Sequence, residues 1–319
     1  MCDRALARAR HTHPEHDHDD DGVMTAAAPS EAGWLAPRPH PRKPLTDLPA
    51  GAIDAHCQVF GPCSVFPYAP ELTFMPAAAP KEKLFAVRDF LGFSRNVIVQ
   101  AKCHGTDNRA LVDALVTAGE RARGVACLPA GVTRAELADL HAAGIRGVRF
   151  NFARPADAPP DAYYLGLADL VAELGWHVVA CLDAADLRDR WQLFTRLPTV
   201  VVVDHLGRPD VSQPLDAPGF TLFQRFMREH GNVWAKLSGA ERVSVLGPPG
   251  YDDFIPFAQR IATAFPDRVI WGTGWPHLDR ASHLPDEGNL VDLIPRIAPG
   301  PDLQRKLLVD NPMRLYWKD

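Results

Sequence analysis

Eight short runs rich in Val, Ile, Leu and Ala, each followed by an amphipathic stretch, recur from residue 51 to the end of the 319-residue chain. The runs read as strands at 52–60, 96–101, 124–128, 147–150, 177–182, 200–204, 233–237 and 269–271. Helical periodicity fills the spaces between them at 81–91, 108–118, 134–143, 162–174, 185–197, 220–229, 251–265 and 290–297, with a further stretch near 303–309. Strands that are apolar on both faces belong to parallel sheets covered on both sides, and alternation with helices supplies the crossovers. Eight such units predict an α/β fold of the (β/α)8 TIM-barrel type. An open doubly wound sheet is the competing architecture, but it would want a glycine-rich phosphate turn after an early strand, and no GxGxxG occurs.

The first 49 residues differ in kind. His11, His13, His16 and His18 alternate with acids, and Pro37, Pro39, Pro41 and Pro44 follow an Ala-rich stretch. This composition cannot bury a core, so residues 1–49 are expected to be disordered or draped over a barrel formed by 50–319. The histidine run reads as a solvated tail, although such a run can also scavenge divalent metal. The remainder carries ample core material, since 46% of the chain is apolar and only 23% charged. A net charge of -5 leaves no basic footprint, which argues against nucleic acid or an anionic membrane as partner. No stretch approaches the roughly 18 apolar residues of a membrane span. Six cysteines without a CxxC pair read as reduced thiols of a cytoplasmic protein. A homo-oligomer is left open.

In a barrel of this kind the chemistry lies at the C-terminal ends of the strands. Strand one ends Asp54-Ala55-His56-Cys57-Gln58, and alternation puts His56 and Gln58 on one face. Strand six ends Asp204-His205-Leu206-Gly207-Arg208, and strand eight ends Trp271-Gly272-Thr273-Gly274-Trp275-Pro276-His277. Cations come from strand four, with Arg149 and the following Arg154, and from strand seven, with Arg242 two residues past Ala240. A single buried histidine is often a hydrogen-bonding core residue, and each arginine could pair with a local acid such as Glu241. Arg146, Arg208 and Trp271 read as loop anchors. Histidines and arginines converging from several rim segments point to a small anionic organic ligand.

Several of these segments are long and specific: Asp54-Ala55-His56, Val59-Phe60-Gly61-Pro62, Phe66-Pro67-Tyr68, Cys103-His104-Gly105-Thr106-Asp107-Asn108, Arg146-Gly147-Val148-Arg149-Phe150-Asn151, Val202 through Pro209 and Trp271 through His277. On them the chain resembles the amidohydrolase-related proteins of the 2-pyrone-4,6-dicarboxylate hydrolase type, lactonases of aromatic-acid catabolism. The resemblance implies a distorted, amidohydrolase-like barrel that opens a cyclic ester without a bound metal or other cofactor. An aspartate after strand eight activates water there, arginines hold the substrate carboxylates, and histidines polarise the lactone carbonyl. Carried over, it implies His56, His205 and His277 as catalytic residues. Arg149, Arg154, Arg242, Thr106, Gln58 and Cys181 become the substrate-binding set.

The chain departs from that pattern where hydrolysis would occur. Gln58 replaces the second histidine of His-x-His, and Gly274 stands where the water-activating aspartate is expected. Cys181 and Phe74 replace two pocket tyrosines. A catalytic zinc wants three good protein ligands and an open position, and the motifs offer His56 and His205 with no evident carboxylate, so no metal is expected. Loss of a positioned base forfeits about 10² to 10⁴ in rate. Hydrolysis of a lactone is therefore weighed against a non-hydrolytic reaction on the same scaffold (cyclase, isomerase, hydro-lyase or decarboxylase) and against a silent binding protein. What fills the space beside Gly274 discriminates: a carboxylate there restores the hydrolase reading.

Overall fold

Each predicted run overlaps a strand, and β2 to β4 begin one or two residues earlier than expected: β1 (Ile53–Cys57), β2 (Arg95–Val99), β3 (Ala122–Ala126), β4 (Ile145–Asn151), β5 (His177–Cys181), β6 (Val201–Val203), β7 (Val233–Lys236) and β8 (Val269–Ile270). These come from a computed structural model, which describes residues 37–318 except 39, 71, 73–74, 153–158, 184–185 and 278–282. All pair in parallel and in chain order from β1 to β8. The ring is drawn together between its first and last strands by Ala55 N donating to Trp271 O at 2.9 Å and Gly274 N to His56 O at 2.8 Å. Eight parallel strands in a nearly closed ring, with helices between them, make the (β/α)8 barrel expected from the alternation.

Two apolar cores result. Ile53, Ala55, Val97, Val99, Val125, Val179, Val202 and Ile270 form the inner cluster, and Leu315 and Tyr316 of the last helix join it. Tyr316 meets the ring of His177, the first residue of β5, at 4.7 Å, so the C-terminal helix closes the end of the barrel opposite the strand C-termini. The larger cluster lies between sheet and helices, where α1 (Lys81–Leu91), α2 (Arg109–Ala118), α3 (Arg134–Ala142), α4 (Asp161–Ala172), α5 (Leu187–Thr195) and α6 (Pro218–Glu229) turn their apolar stripes inward.

Differences from the periodicity are local. The strands stop short of several predicted ends because the chain makes a single 3₁₀ turn at Lys102–His104 and kinks at Asp204–Gly207, where His205 and Leu206 have φ of 51° and 57°. A short helix, α7 (Ala240–Val243), precedes α8 (Ile255–Ala264). The stretch at 290–297 is two pieces, α9 (Glu287–Val291) and α10 (Ile294–Ile297), with Pro295 starting the second. The stretch near 303–309 begins as α11 (Pro301–Arg305), widens into a π turn at Lys306–Asp310 and continues as α12 (Asn311–Tyr316).

Ahead of β1, residue 38 and residues 40–46 lie along the segment after β8. Asp292 accepts from Leu45 N at 2.9 Å and Thr46 N at 2.8 Å and pairs with Arg42, and Asp286 accepts from Arg42 N at 3.0 Å. The histidine run at 11–18 lies outside the described residues. Cys57, Cys103, Cys127 and Cys181 are free thiols. Cys63 is disulfide-bonded, which corrects the expectation of six reduced cysteines: it sits in a half-buried turn after Pro62 and not in a strand. No helix among the described residues is long and apolar enough to cross a membrane.

Candidate active site

Strict alternation from Ile53 and Ala55, both in the inner cluster, would send His56 outward. The β1–β2 register slips between Asp54 and Cys57, so that Cys57 joins the outer cluster and its thiol donates to Val97 O at 3.3 Å. This irregularity re-aims His56 into the barrel. Asp54 locks it in place, accepting from His56 N at 3.1 Å, Thr273 N at 3.0 Å and Thr273 Oγ1 at 2.7 Å. Burial lifts the Asp54 carboxyl to about 6 in spite of those donors. Gly272 is required alongside, because a Cβ there would stand 2.3 Å from His56 N.

Across the interior, His56 meets side chains from strands that are not its neighbours. Lys236, at the end of β7 and fully buried, donates to His56 Nδ1 at 3.0 Å and to Asp204 Oδ1 at 2.8 Å. The other Asp204 oxygen pairs with Arg149 Nη2 at 3.1 Å. Burial works against charge on Asp204, but Lys236, His56 and Arg149 hold it well below the usual carboxylate range. Burial and Lys236 push His56 down to about 4, so it is neutral at physiological pH. Burial also lowers Lys236, with Asp204 opposing. His205 packs against His56 with ring centroids 4.8 Å apart, its Nδ1 lies 3.0 Å from Ser238 Oγ, and burial and Arg242 hold it well below the usual histidine range. Its φ of 51° belongs to the left-handed region, the kind of strain that gathers at functional sites.

His56, Asp204 and His205 are also the group that could hold a metal ion, with ligand atoms within 4.8 Å of one another. Asp204 thus supplies the carboxylate that the motif reading missed. The surroundings do not fit a dication, because the Lys236 ammonium already bonds two of the three groups and Arg149 takes the remaining carboxylate oxygen.

A second buried cluster borders Gly274. A Cβ on Gly274 would lie 3.6 Å from Glu241 Oε1 and 3.5 Å from His277 Cε1. His277 Nδ1 is 3.6 Å from Glu241 Oε1 and its Nε2 is 3.4 Å from Glu287 Oε1, with all three residues buried. Burial alone would lower His277, yet the two carboxylates on its two nitrogens raise it. Burial opposes charge on Glu241, but His277 and Arg242 bring it down to about 2. Arg242 Nε is 3.4 Å from Glu241 Oε1, so Arg242 stands between this cluster and His205, whose titration it affects.

The structure thus gathers His56, His205, Arg149 and Arg242 around one end of the barrel and sets His277 beside Gly274. Cys181 is buried at the end of β5, next to Asn151 in register, and accepts from Arg208 Nη2 at 3.1 Å. Arg208 also pairs with Asp183 at 3.0 Å, in keeping with an anchor. Gln58 is half-buried and its backbone N–H donates to Trp275 O at 2.9 Å. Thr106 is exposed, and its carbonyl accepts from Asn108 Nδ2 at 3.0 Å. Arg154 and Phe74 lie outside the described residues. Lys236, Asp204 and Glu287 were not singled out by sequence reasoning, and Glu241 was named only as an acid that could pair with an arginine. The signal for Lys236 was an ammonium two residues after Trp234 at the end of an otherwise apolar strand.

The profile of a family described as amidohydrolase matches residues 53–317. A Comamonas testosteroni protein named 2-pyrone-4,6-dicarboxylate hydrolase is 55% identical over 90% of this chain and 97% of its own length. A Rhizobium radiobacter 4-sulfomuconolactone hydrolase is 36% identical over 84% and 91% of the two chains. Among solved structures, an apo protein from Agrobacterium tumefaciens superposes with a TM-score of 0.77 at 27% identity, covering 86% of this chain and 99% of its own.

Proposed function

The chain belongs to the amidohydrolase family, and from that premise we propose that it is a metal-independent enzyme that hydrolyses a carboxylate-bearing lactone of the 2-pyrone-dicarboxylate class. The observation that carries the hydrolytic part is the Glu241 carboxylate beside Gly274, 3.6 Å from the position of a side chain there. A carboxylate at that place supplies the base whose loss the motif alone implied. In this reading Glu241 accepts a proton from water while the oxygen adds to the lactone carbonyl carbon. His56 and His205 stabilise the oxyanion, collapse breaks the ring C–O bond, and the proton passes to the departing ring oxygen.

Arg242 and Arg149 balance the substrate carboxylates, joined by Arg154, Thr106, Gln58 and Cys181 around the ring. Arg149 is shared, since one end serves Asp204, yet its Nε has no hydrogen-bond partner among the described residues. His277 steadies Glu241 and is itself held by Glu287.

The test is turnover of 2-pyrone-4,6-dicarboxylate followed by loss of pyrone absorbance. Wild-type protein is expected to open the ring, and Glu241→Gln to lose about 10² to 10⁴ in kcat with KM little changed. Folded wild-type protein that binds the pyrone without opening it would overturn the hydrolase reading in favour of a proton-transferring enzyme or a binding protein. Unchanged kcat in Glu241→Gln would remove Glu241 from the chemistry.

A further inference from the structure

The side chains of strands one and six that could grasp a divalent cation already grasp a cation of the chain's own. His56, Asp204 and His205 bring ligand atoms within 4.8 Å of one another, the arrangement of a three-ligand metal site. Lys236 Nζ enters that arrangement from β7, 3.0 Å from His56 Nδ1 and 2.8 Å from Asp204 Oδ1. Its side chain is wholly buried, so the contact is a built part of the barrel floor and not a surface lysine folded over. With Arg149 on the other oxygen of Asp204, one carboxylate faces two fixed cations. A dication added there would meet both at close range in a medium of low polarity.

The same contact settles a proton position. An ammonium has donors and no acceptor, so the nitrogen it bonds must offer a lone pair. His56 Nδ1 is that nitrogen, which leaves the ring proton on Nε2 and makes the far side of the imidazole a donor.

We propose that Lys236 is the resident cation of this site: its ammonium takes the place of a divalent metal between His56 and Asp204 and holds His56 as the Nε2–H tautomer. Lys236 is thus a positioning residue. The proposal rests on the reading above only for the catalytic meaning of that Nε2–H donor, and neither measurement below needs a substrate. Removal of Lys236 should uncover a latent metal site, because Asp204 keeps Arg149 and its charge is not left bare.

Cobalt(II) is titrated into full-length wild type, Lys236→Met and Lys236→Met/Asp204→Asn, with bound equivalents read by dialysis and visible absorption. Histidines of the N-terminal tail are common to all three, so the difference is the measurement. Lys236→Met is expected to bind one equivalent more than wild type, with absorption of low coordination number, and the double variant to lose it. A fourth titration, of Asp204→Asn alone, serves as control, and two results overturn the proposal: a wild-type equivalent that Asp204→Asn removes, or no gain in Lys236→Met whose circular dichroism and urea midpoint show it folded. Should Lys236→Met fail to fold, nitrogen-15 spectra of the wild-type histidine rings decide. The resonances missing from His56→Gln should show Nδ1 unprotonated and Nε2 protonated, and an Nδ1–H ring would overturn the assignment. Failure of wild type to open a lactone would count against the functional reading alone and leave both results standing.

Discussion

Gly274 and Glu241 are best understood as one position shared by two residues. A side chain at 274 starts within van der Waals contact of the Glu241 carboxylate, so an aspartate there would set two negative charges side by side. Gly274→Asp alone is therefore expected to slow hydrolysis, and its φ of 79° adds roughly 1 kcal/mol of strain that Asp tolerates better than most residues. In a Glu241→Gln background the charge conflict is gone. There Gly274→Asp should raise kcat at least tenfold over Glu241→Gln, measured on the pyrone dicarboxylate, and no recovery would separate Glu241 from the role of the absent aspartate. The histidines and arginines of the site were legible because each ends a strand in a motif. Glu241 was legible only as a salt-bridge partner for Arg242, because its nearness to Gly274 is made by two strand ends brought side by side.

The turn after β8 acts as an element of its own, fixed to β1 through Asp54 and to α7 and α9 through His277. The Gly272 backbone lies against His56, and Gly272→Ala should cost about 1 to 3 kcal/mol in urea unfolding while displacing His56 and reducing turnover. The His277 pairing carries a pH signature. Its folded pKa is raised by Glu241 and Glu287, so its contribution is complete below the unfolded histidine value of 6.5 and fades as pH rises through the raised value. Glu287→Gln removes one of the two carboxylates and should destabilise the protein by about 1 to 3 kcal/mol at pH 6. The gap between wild type and variant should narrow by pH 9 in paired urea titrations; a gap that stays constant would show that His277 is neutral. Helix periodicity could not reveal this element, since α7 and α9 have only 4 and 5 residues, too few to show a repeat.

At the scale of the whole molecule, the barrel is closed at one end by Leu315 and Tyr316 and strapped on its flank by residues 40–46. Asp292 receives three groups of that strap, Arg42, Leu45 and Thr46. Asp292→Ala should lower stability by about 1 to 2 kcal/mol and speed tryptic cleavage after Arg42. Cleavage at an unchanged rate would mean that other contacts, such as Arg38 on Pro285 O at 3.1 Å and Asp286 on Arg42 N, suffice.

Eight apolar runs alternating with amphipathic stretches are local patterns, and parallel strands joined by right-handed crossovers leave few architectures for eight of them, so the barrel could be read from the chain alone. So could the ends of the strands as the place of the chemistry. The inward turn of His56, the ammonium between His56 and Asp204, and the carboxylate beside Gly274 could not. Lys236 and His56 are 180 residues apart, and their contact exists only because the ring closes and a register slip in β1 reverses which side chains face inward. Periodicity records which face of a segment is buried; which charges meet there is decided when distant strand ends share one enclosed space of low polarity.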